Sequence, residues 1–201
     1  MSDHYYSRRP SVASDRNSIE AELRGFRLKL TTDAGVFSRD SVDYGSRALI
    51  AHMDIPAGAK VLDVGCGYGP IGLTAAKLAP SGHVTMVDIN ERAVELAESN
   101  ARANGIGNAA FFQSDKLEAV EGRTFDVILT NPPIRAGKAV VHSIFEESFK
   151  HLNSGGALWI VIQNKQGAPS ARTKLEELFG EDRVEEVGKD KGFRIYRAIK
   201  V

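Results

Sequence analysis

A chain of 201 residues with 42% hydrophobic and 26% charged side chains has room for one ordinary domain and the composition of a packed core, which speaks against disorder and fibre. Its 26 Lys and Arg balance 26 Asp and Glu, so bulk charge does not drive it onto polyanions, and nucleic-acid contact would need a local basic patch. One cysteine, Cys66, excludes an internal disulfide and a Cys-rich zinc site and fits a reducing, cytoplasmic setting; the first twenty residues lack the apolar core of a signal peptide, and the longest apolar run, Ala157 to Ile162, is far below the roughly 20 residues of a membrane helix.

Residues 1–18 are polar and read as a loose arm. From Ile19 to Thr31, apolar Ile19, Ala21, Leu23 and then Phe26, Leu28, Leu30 alternate around Gly25, which predicts two short strands in a hairpin. Thr31 to Ser46 is rich in Gly, Asp and Ser and reads as a long loop that enters a helix near Asp43. Val61 to Val64 is a short buried strand ending in glycines, and Pro70 to Leu78 a helix with proline in its first turn. A strand at Val84 to Val87 ends at Asp88. Glu91 to Asn104 has helical apolar spacing at Ala93, Val94, Leu96, Ala97 and Ala101, and Gly105 stops it. Strands follow at Ala110 to Phe112 and Phe125 to Leu129, then a helix from Lys138 to Leu152, a strand at Ala157 to Ile162 and a helix at Thr173 to Phe179. Val184 to Val187 and Phe193 to Ile199 are two closing strands. Strands alternating with helices imply right-handed crossovers and a mostly parallel sheet covered on both faces. The last two strands are too close for a helical crossover and are expected to pair antiparallel.

Four positions at the ends of these strands have chemical potential. Asp63-Val64-Gly65-Cys66-Gly67-Tyr68-Gly69 joins a strand to a helix, where glycines let the backbone turn sharply and approach a ligand. A tight turn without a ligand is the plain alternative. A dinucleotide fingerprint needs its third glycine at position 70, but Pro70 stands there and the glycine is Gly69. Asp88 suits the two hydroxyls of a ribose, or it, or Asn90, caps the next helix. Asp115, after the next strand, is either an adenine contact or a solvated loop acid. Thr130-Asn131-Pro132-Pro133 closes the fourth strand of the alternating series. Its prolines remove two backbone donors and fix two φ angles, leaving rigid carbonyl acceptors beside the Asn131 amide. Asn131 Oδ1 and the Pro132 carbonyl together suit a planar NH₂ group, whose nitrogen gains positive charge as it is methylated. The plain alternative is a rigid turn.

Together the glycine loop, Asp88 and Asn131-Pro132-Pro133 resemble an S-adenosylmethionine-dependent methyltransferase of the Rossmann-like class, in its amino-methylating branch. Ala34-Gly35-Val36-Phe37-Ser38-Arg39-Asp40, Asp43-Tyr44-Gly45-Ser46-Arg47, Asn131 to Lys138 and the amino-terminal His4-Tyr5-Tyr6-Ser7 are similar to the small-domain family that includes the 16S rRNA guanine-N2 methyltransferases, single-domain bacterial members among them. The resemblance covers nearly the whole chain. It implies a class I fold with a seven-stranded, mostly parallel sheet, an antiparallel last strand and an amino-terminal hairpin. It also implies one domain over 1–201, with an arm and hairpin at 1–42 and the catalytic core at 43–201. S-adenosylmethionine is the implied donor, held by Asp63, Gly65, Gly67, Gly69, Asp88, Ile89, Asp115 and Asn131. The implied catalytic set is Asn131, Pro132 and Pro133, with Phe37 closing over the site or serving as core. The best-known members of the rRNA group carry a second, degenerate domain ahead of the catalytic one, a departure from the sequence given, in which the first strand of the core already starts near Lys60.

The implied partner is 16S rRNA or the 30S subunit, with no membrane and with monomer or homodimer left open. Arg135 and Lys138 flank the motif and suit backbone phosphates. Arg8, Arg9, Arg16, Arg24, Arg27 and Lys29 outnumber Asp3, Asp15, Glu20 and Glu22, which offers either an RNA-guiding surface or a solvated hairpin. Ile134, where adenine and glutamine methyltransferases commonly have an aromatic residue, favours guanine. The five histidines have no metal-ligand spacing, and Cys66 reads as packing rather than nucleophile. A non-catalytic donor- or RNA-binding protein is the rival from another class.

Overall fold

The computed structural model describes residues 4–201; Asp3 of the amino-terminal charge balance lies outside them. A two-stranded antiparallel hairpin, β1 (Asn17–Leu23) and β2 (Phe26–Thr32), precedes the main body. The body alternates α1 (Tyr44–His52), β3 (Lys60–Val64), α2 (Pro70–Leu78), β4 (His83–Asp88), α3 (Glu91–Ala103), β5 (Ala109–Gln113), β6 (Phe125–Thr130), α4 (Lys138–Lys150), β7 (Leu152–Gln163), α5 (Ala168–Phe179), β8 (Val184–Asp190) and β9 (Phe193–Ile199).

The seven strands of the body lie in the order β5-β4-β3-β6-β7-β9-β8. All neighbours are parallel except β9, which is antiparallel to both β7 and β8. This is the expected Rossmann-like sheet with its antiparallel last strand and added hairpin. The chain winds outward from β3 through β4 to β5 and then returns to β6 on the other side of β3. Such a reversal opens a crevice beyond the carboxyl ends of the strands, where ligands bind in open α/β sheets.

Alternation along the strands feeds two cores. Val61, Val84, Met86, Val127, Leu129, Trp159 and Val161 face α1, α2, α3 and the hairpin. Leu62, Val64, Val87, Ile128, Leu158, Ile160 and Ile162 face α4 and α5. Each large aliphatic side chain so buried contributes about 1.5–3 kcal/mol. The hairpin joins the first core through Ala21, Leu23, Leu28 and Leu30. Asn100 of α3 clasps it, accepting from Thr31 N–H at 2.8 Å and donating to the Thr31 carbonyl at 3.0 Å.

Three segments differ from the sequence expectation. β7 begins at Leu152 instead of Ala157, and α4 accordingly stops at Lys150: Asn153-Ser154-Gly155-Gly156 has turn composition, yet Leu152 pairs with Phe125 and the irregularity is absorbed between Phe125 and Val127. α5 begins at Ala168, not Thr173, because Pro169 falls in the first turn, where it has no helical hydrogen bond to lose. The arm is not loose from Tyr5 onward. Its carbonyls at Tyr5, Arg8 and Val12 accept from Asn90 Nδ2 (3.0 Å), Glu91 N–H (3.0 Å) and Arg92 Nη2 (2.9 Å) at the start of α3.

Candidate active site

A cavity of about 380 Å³ opens at the reversal point. That is within the roughly 300–1,000 Å³ of small-molecule sites. Its floor is the turn from β3 into α2. Gly65 and Gly67 have φ of +74° and +56°, and a Cβ at either would meet nothing within 4 Å. Their lack of side chains leaves the space above the loop open. Gly69 differs: it caps α2 with φ +114°, and a Cβ there would stand 2.8 Å from Leu73 Cδ1, so its role is the turn itself.

Asp88, at the end of β4, lines the cavity with both carboxyl oxygens engaged from behind. Oδ2 accepts from Gly67 N–H and Oδ1 from Asn90 N–H, each at 2.8 Å. The acid therefore ties the glycine loop to the next strand. Capping of α3 falls to Asn90, whose side chain accepts from Arg92 and Ala93 N–H. Burial pushes Asp88 up to about 6, with those two N–H groups holding it from going higher. Each oxygen keeps a further lone pair for a ligand hydroxyl.

Asp63 is fully buried behind the loop and does not reach the cavity wall. It sits on the face that α2 covers, where a Cβ at Gly72 would come within 2.8 Å of Oδ2. Neither carboxyl oxygen has a hydrogen-bond partner of good geometry. Burial raises it to about 7; the nearby Gly72 N–H opposes that rise and the charge of Asp88 adds to it. Burial also pushes the Cys66 thiol well up, so it is a packing group and no nucleophile at neutral pH.

Opposite the glycine loop, Asn131, Pro132 and Pro133 continue from β6 and line the same cavity. Asn131 Nδ2 donates to Asp43 Oδ2 and to Ser46 Oγ, both at 3.1 Å. Among the described residues nothing donates to Asn131 Oδ1 or to the Pro132 carbonyl. Adjacent residues thus each keep an acceptor without a donor, on a backbone stiffened by two prolines, a chemistry that suits an NH₂ group.

Ile89, Asp115 and Phe37 complete the expected wall. Phe37 is 42% exposed, so it is a cover and not core. Asp115 meets the arm, with Arg8 Nη2 at 3.6 Å from Oδ2. Arg135 and Lys138 are exposed beside the cavity and not on its wall. Three of the six amino-terminal basic side chains have partners: Arg8 lies near Asp115, Arg9 pairs with Glu91 at 3.0 Å, and Arg24, at the hairpin turn, donates to the Ile50 and Met53 carbonyls at the end of α1.

Several lining residues, some of them in family-like segments, were given no role at the site by the sequence. Tyr5 and Tyr6 come from the arm, and Tyr5 packs on Phe37 with ring centroids 5.0 Å apart. Asp43 and Ser46 open α1; the sequence placed them at a helix start and in a segment similar to the small-domain family, with no role at the site. The hydrophobic remainder includes Val36, Val64, Val87 and Ile144.

Residues 27–197 match the family model of the methyltransferase small domain. Over 203 residues, the whole of both chains, the protein is 54% identical to an uncharacterized protein, YbxB, of Bacillus subtilis. It is 35% identical over 189 residues to ribosomal RNA small subunit methyltransferase C of Escherichia coli, an alignment covering 92% of this chain and 53% of that one. In structure it resembles the T. thermophilus 16S rRNA N2 G1207 methyltransferase solved with AdoMet and guanosine, with a TM-score of 0.83 and 27% identity over 96% of this chain and 52% of that one. The chain spans about half the length of these rRNA methyltransferases. Likeness to the ribosomal protein L11 methylase of Lactobacillus delbrueckii, with a TM-score of 0.67 and 22% identity over 80% of this chain and 81% of that one, concerns the fold alone.

Proposed function

Because the chain belongs to the methyltransferase small domain family, we propose that it transfers a methyl group from S-adenosylmethionine to the exocyclic N2 amine of a guanine in 16S rRNA. The observation that carries the reading is Asn131: its amide nitrogen is tied back while Oδ1 is left unengaged, on the wall facing the glycine loop and Asp88. The relatives named for 16S rRNA methylation support the acceptor, and the neighbour solved with AdoMet and guanosine supports both ligands.

The cavity fits the donor. Asp88 offers a carboxylate to a ribose diol, Ile89 an apolar edge to adenine, Asp115 an acceptor to the adenine amino group, and Gly65 and Gly67 a surface without side chains for the amino-acid end. Asp63 and Gly69 act through the loop they shape, not by contact. When bound, the donor supplies an electrophilic methyl on a sulfonium, whose release leaves a neutral thioether.

The protein's own part is to orient the acceptor. Asn131 Oδ1 and the Pro132 carbonyl each accept one amine hydrogen, which turns the nitrogen lone pair toward the donor pocket. As positive charge grows on nitrogen, those fixed acceptors stabilise it without having to reorganise. No strong base is needed, because the proton leaves to water after transfer. A paired guanine hides this amine, so the base must be unpaired or flipped into the cavity, where Phe37 and Tyr5 offer stacking faces. Arg135 and Lys138 then meet the flanking phosphates.

The test is incubation with labelled S-adenosylmethionine and, separately, free 16S rRNA, 30S subunits, DNA and a release factor. Label recovered as N2-methylguanosine from 16S rRNA or the subunit supports the proposal and shows which form is the substrate. Label on adenine or on glutamine keeps the mechanism and overturns the acceptor. Donor binding with no label anywhere favours an assembly protein that has lost catalysis.

A further inference from the structure

We propose that Asp43, helped by Ser46, is a positioning residue that fixes which end of the Asn131 amide faces the acceptor, and that its charge strengthens Asn131 Oδ1 as a hydrogen-bond acceptor. What Oδ1 holds rests on the amino-group reading above; how Oδ1 is held does not.

An asparagine side chain has nearly the same shape after a half-turn about its last torsion, so packing alone does not choose between Oδ1 and Nδ2. The choice matters here. With Nδ2 toward the cavity, two N–H groups would face the N–H groups of an incoming amine, and neither could accept. The structure resolves this from behind. Asn131 Nδ2 has two hydrogens and two acceptors, Asp43 Oδ2 and Ser46 Oγ, both at 3.1 Å. Ser46 can donate as well as accept, so it tolerates either end. An ionised Asp43 only accepts, so the swapped amide would set oxygen against carboxylate. Asp43 therefore carries the discrimination and Ser46 completes it.

Asp43 is itself held firmly. It is the N-cap of α1, and the same Oδ2 accepts from Ser46 N–H at 3.0 Å. The helix start is seated tightly: a Cβ at Gly45 would come within 2.8 Å of Phe193 on β9 and 3.2 Å of Asp43 Oδ2. Asp43-Tyr44-Gly45-Ser46 is thus a rigid unit docked against the sheet, with its carboxylate aimed at the end of β6. A negative charge on the far side of the Asn131 NH₂ group pushes electron density through the amide toward Oδ1. The gain is largest as the acceptor nitrogen becomes positive, so it acts on the rate more than on binding.

The test combines four single variants and one double variant of the full chain. In ¹⁵N-labelled protein the Asn131 side-chain amide pair is identified by its loss in Asn131→Ala. We expect a dispersed, slowly exchanging pair in the wild type, collapsed toward the free-asparagine position in Asp43→Ala and partly shifted in Ser46→Ala, which keeps the backbone cap. Single-turnover methylation should fall by about 10–100-fold in Asp43→Ala, with donor affinity within about twofold. Asp43→Asn can keep the contact without the charge and should recover part of the rate. Adding Asp43→Ala to Asn131→Ala should cost less than about twofold more, since the first acts through the second. An amide pair unchanged in Asp43→Ala, or an equal loss of rate with and without Asn131, overturns the proposal. If the wild type methylates no RNA while the amide pair collapses in Asp43→Ala, the reaction assigned above is wrong and the positioning stands.

Discussion

Two acids beside the glycine loop set the response of single residues to pH. Burial raises Asp63 to about 7 and Asp88 to about 6, from an ordinary value of 3.8. An acid whose folded pKa is raised holds an extra proton in the folded state, so its contribution is full below the unfolded value and lost as pH rises through the folded one. The ligand-free protein should lose stability between about pH 4 and 7. Asp63→Asn should flatten the upper part of that slope, and melting curves at stepped pH would show it; an unchanged slope removes the assignment. Donor binding has the opposite sense. If Asp88 holds the ribose as proposed, its ionised form is the one that accepts two hydroxyls, so the donor Kd should weaken by roughly tenfold per unit below about pH 6. Asn131 and Asp88 should separate in their effects. Asn131→Ala should cut turnover by about 10²–10³ with donor Kd nearly kept. Asp88→Ala should instead weaken the donor by about 10–100-fold, the worth of one charged hydrogen bond. Titration calorimetry beside single-turnover rates measures both, and an equal loss of donor binding would contradict the division.

Among the elements, the arm and the loop that follows the hairpin act together as a strap over the cavity. Arg92 of α3 fastens both, donating to the Ala34 carbonyl at 2.6 Å and the Val12 carbonyl at 2.9 Å. Asn90 does the same, donating to the Tyr5 carbonyl at 3.0 Å and the Gly35 carbonyl at 2.8 Å. Asp33 ties the two further. Burial alone would raise it, yet hydrogen bonds from Ser14 Oγ and the N–H groups of Asp15 and Ala34, with Arg92 nearby, hold it below its ordinary value. None of residues 4–9 is buried, so removing them should leave the fold intact while opening the side of the cavity formed by Tyr5 and Tyr6. Truncation of residues 1–9 should therefore weaken donor binding by roughly tenfold, about 1.4 kcal/mol, with little change in the melting temperature. A truncated chain that binds donor as the full chain does would leave the strap without a role in the site.

Over the whole molecule, the hairpin and the sheet share one core. Leu30 is fully buried in it, alongside Leu28, Leu49 and Leu96. We propose that residues 1–201 fold as a single cooperative domain, with the hairpin part of it and not an appendage. Leu30→Ala should then cost about 2–5 kcal/mol in denaturant unfolding and shift a single transition. Two transitions, with only the first moved, would mark the hairpin as a separate unit. No helix among the described residues is long and apolar enough to cross a membrane.

The chain itself determined the winding and the ends of its strands. Short, nearly continuous apolar runs placed β3, β4 and β6 within a residue or two, and Asp88 and Asn131-Pro132-Pro133 were visible because each stands just past such a run. Parallel winding then obliges those ends to meet at the reversal point. What only the tertiary structure decided depends on contacts between segments distant in sequence. Asp43 reads as a helix cap until α1 is docked 88 residues away against Asn131. Tyr5 reads as part of a polar arm until Asn90, 85 residues on, holds it over the cavity. Asp63 reads as part of a ligand loop, whereas α2 closing on Gly72 buries it behind that loop. Local pattern encodes the strand, the turn and the rigid acceptor. Which side chains face them across the crevice is set by packing, and no period in the chain records it.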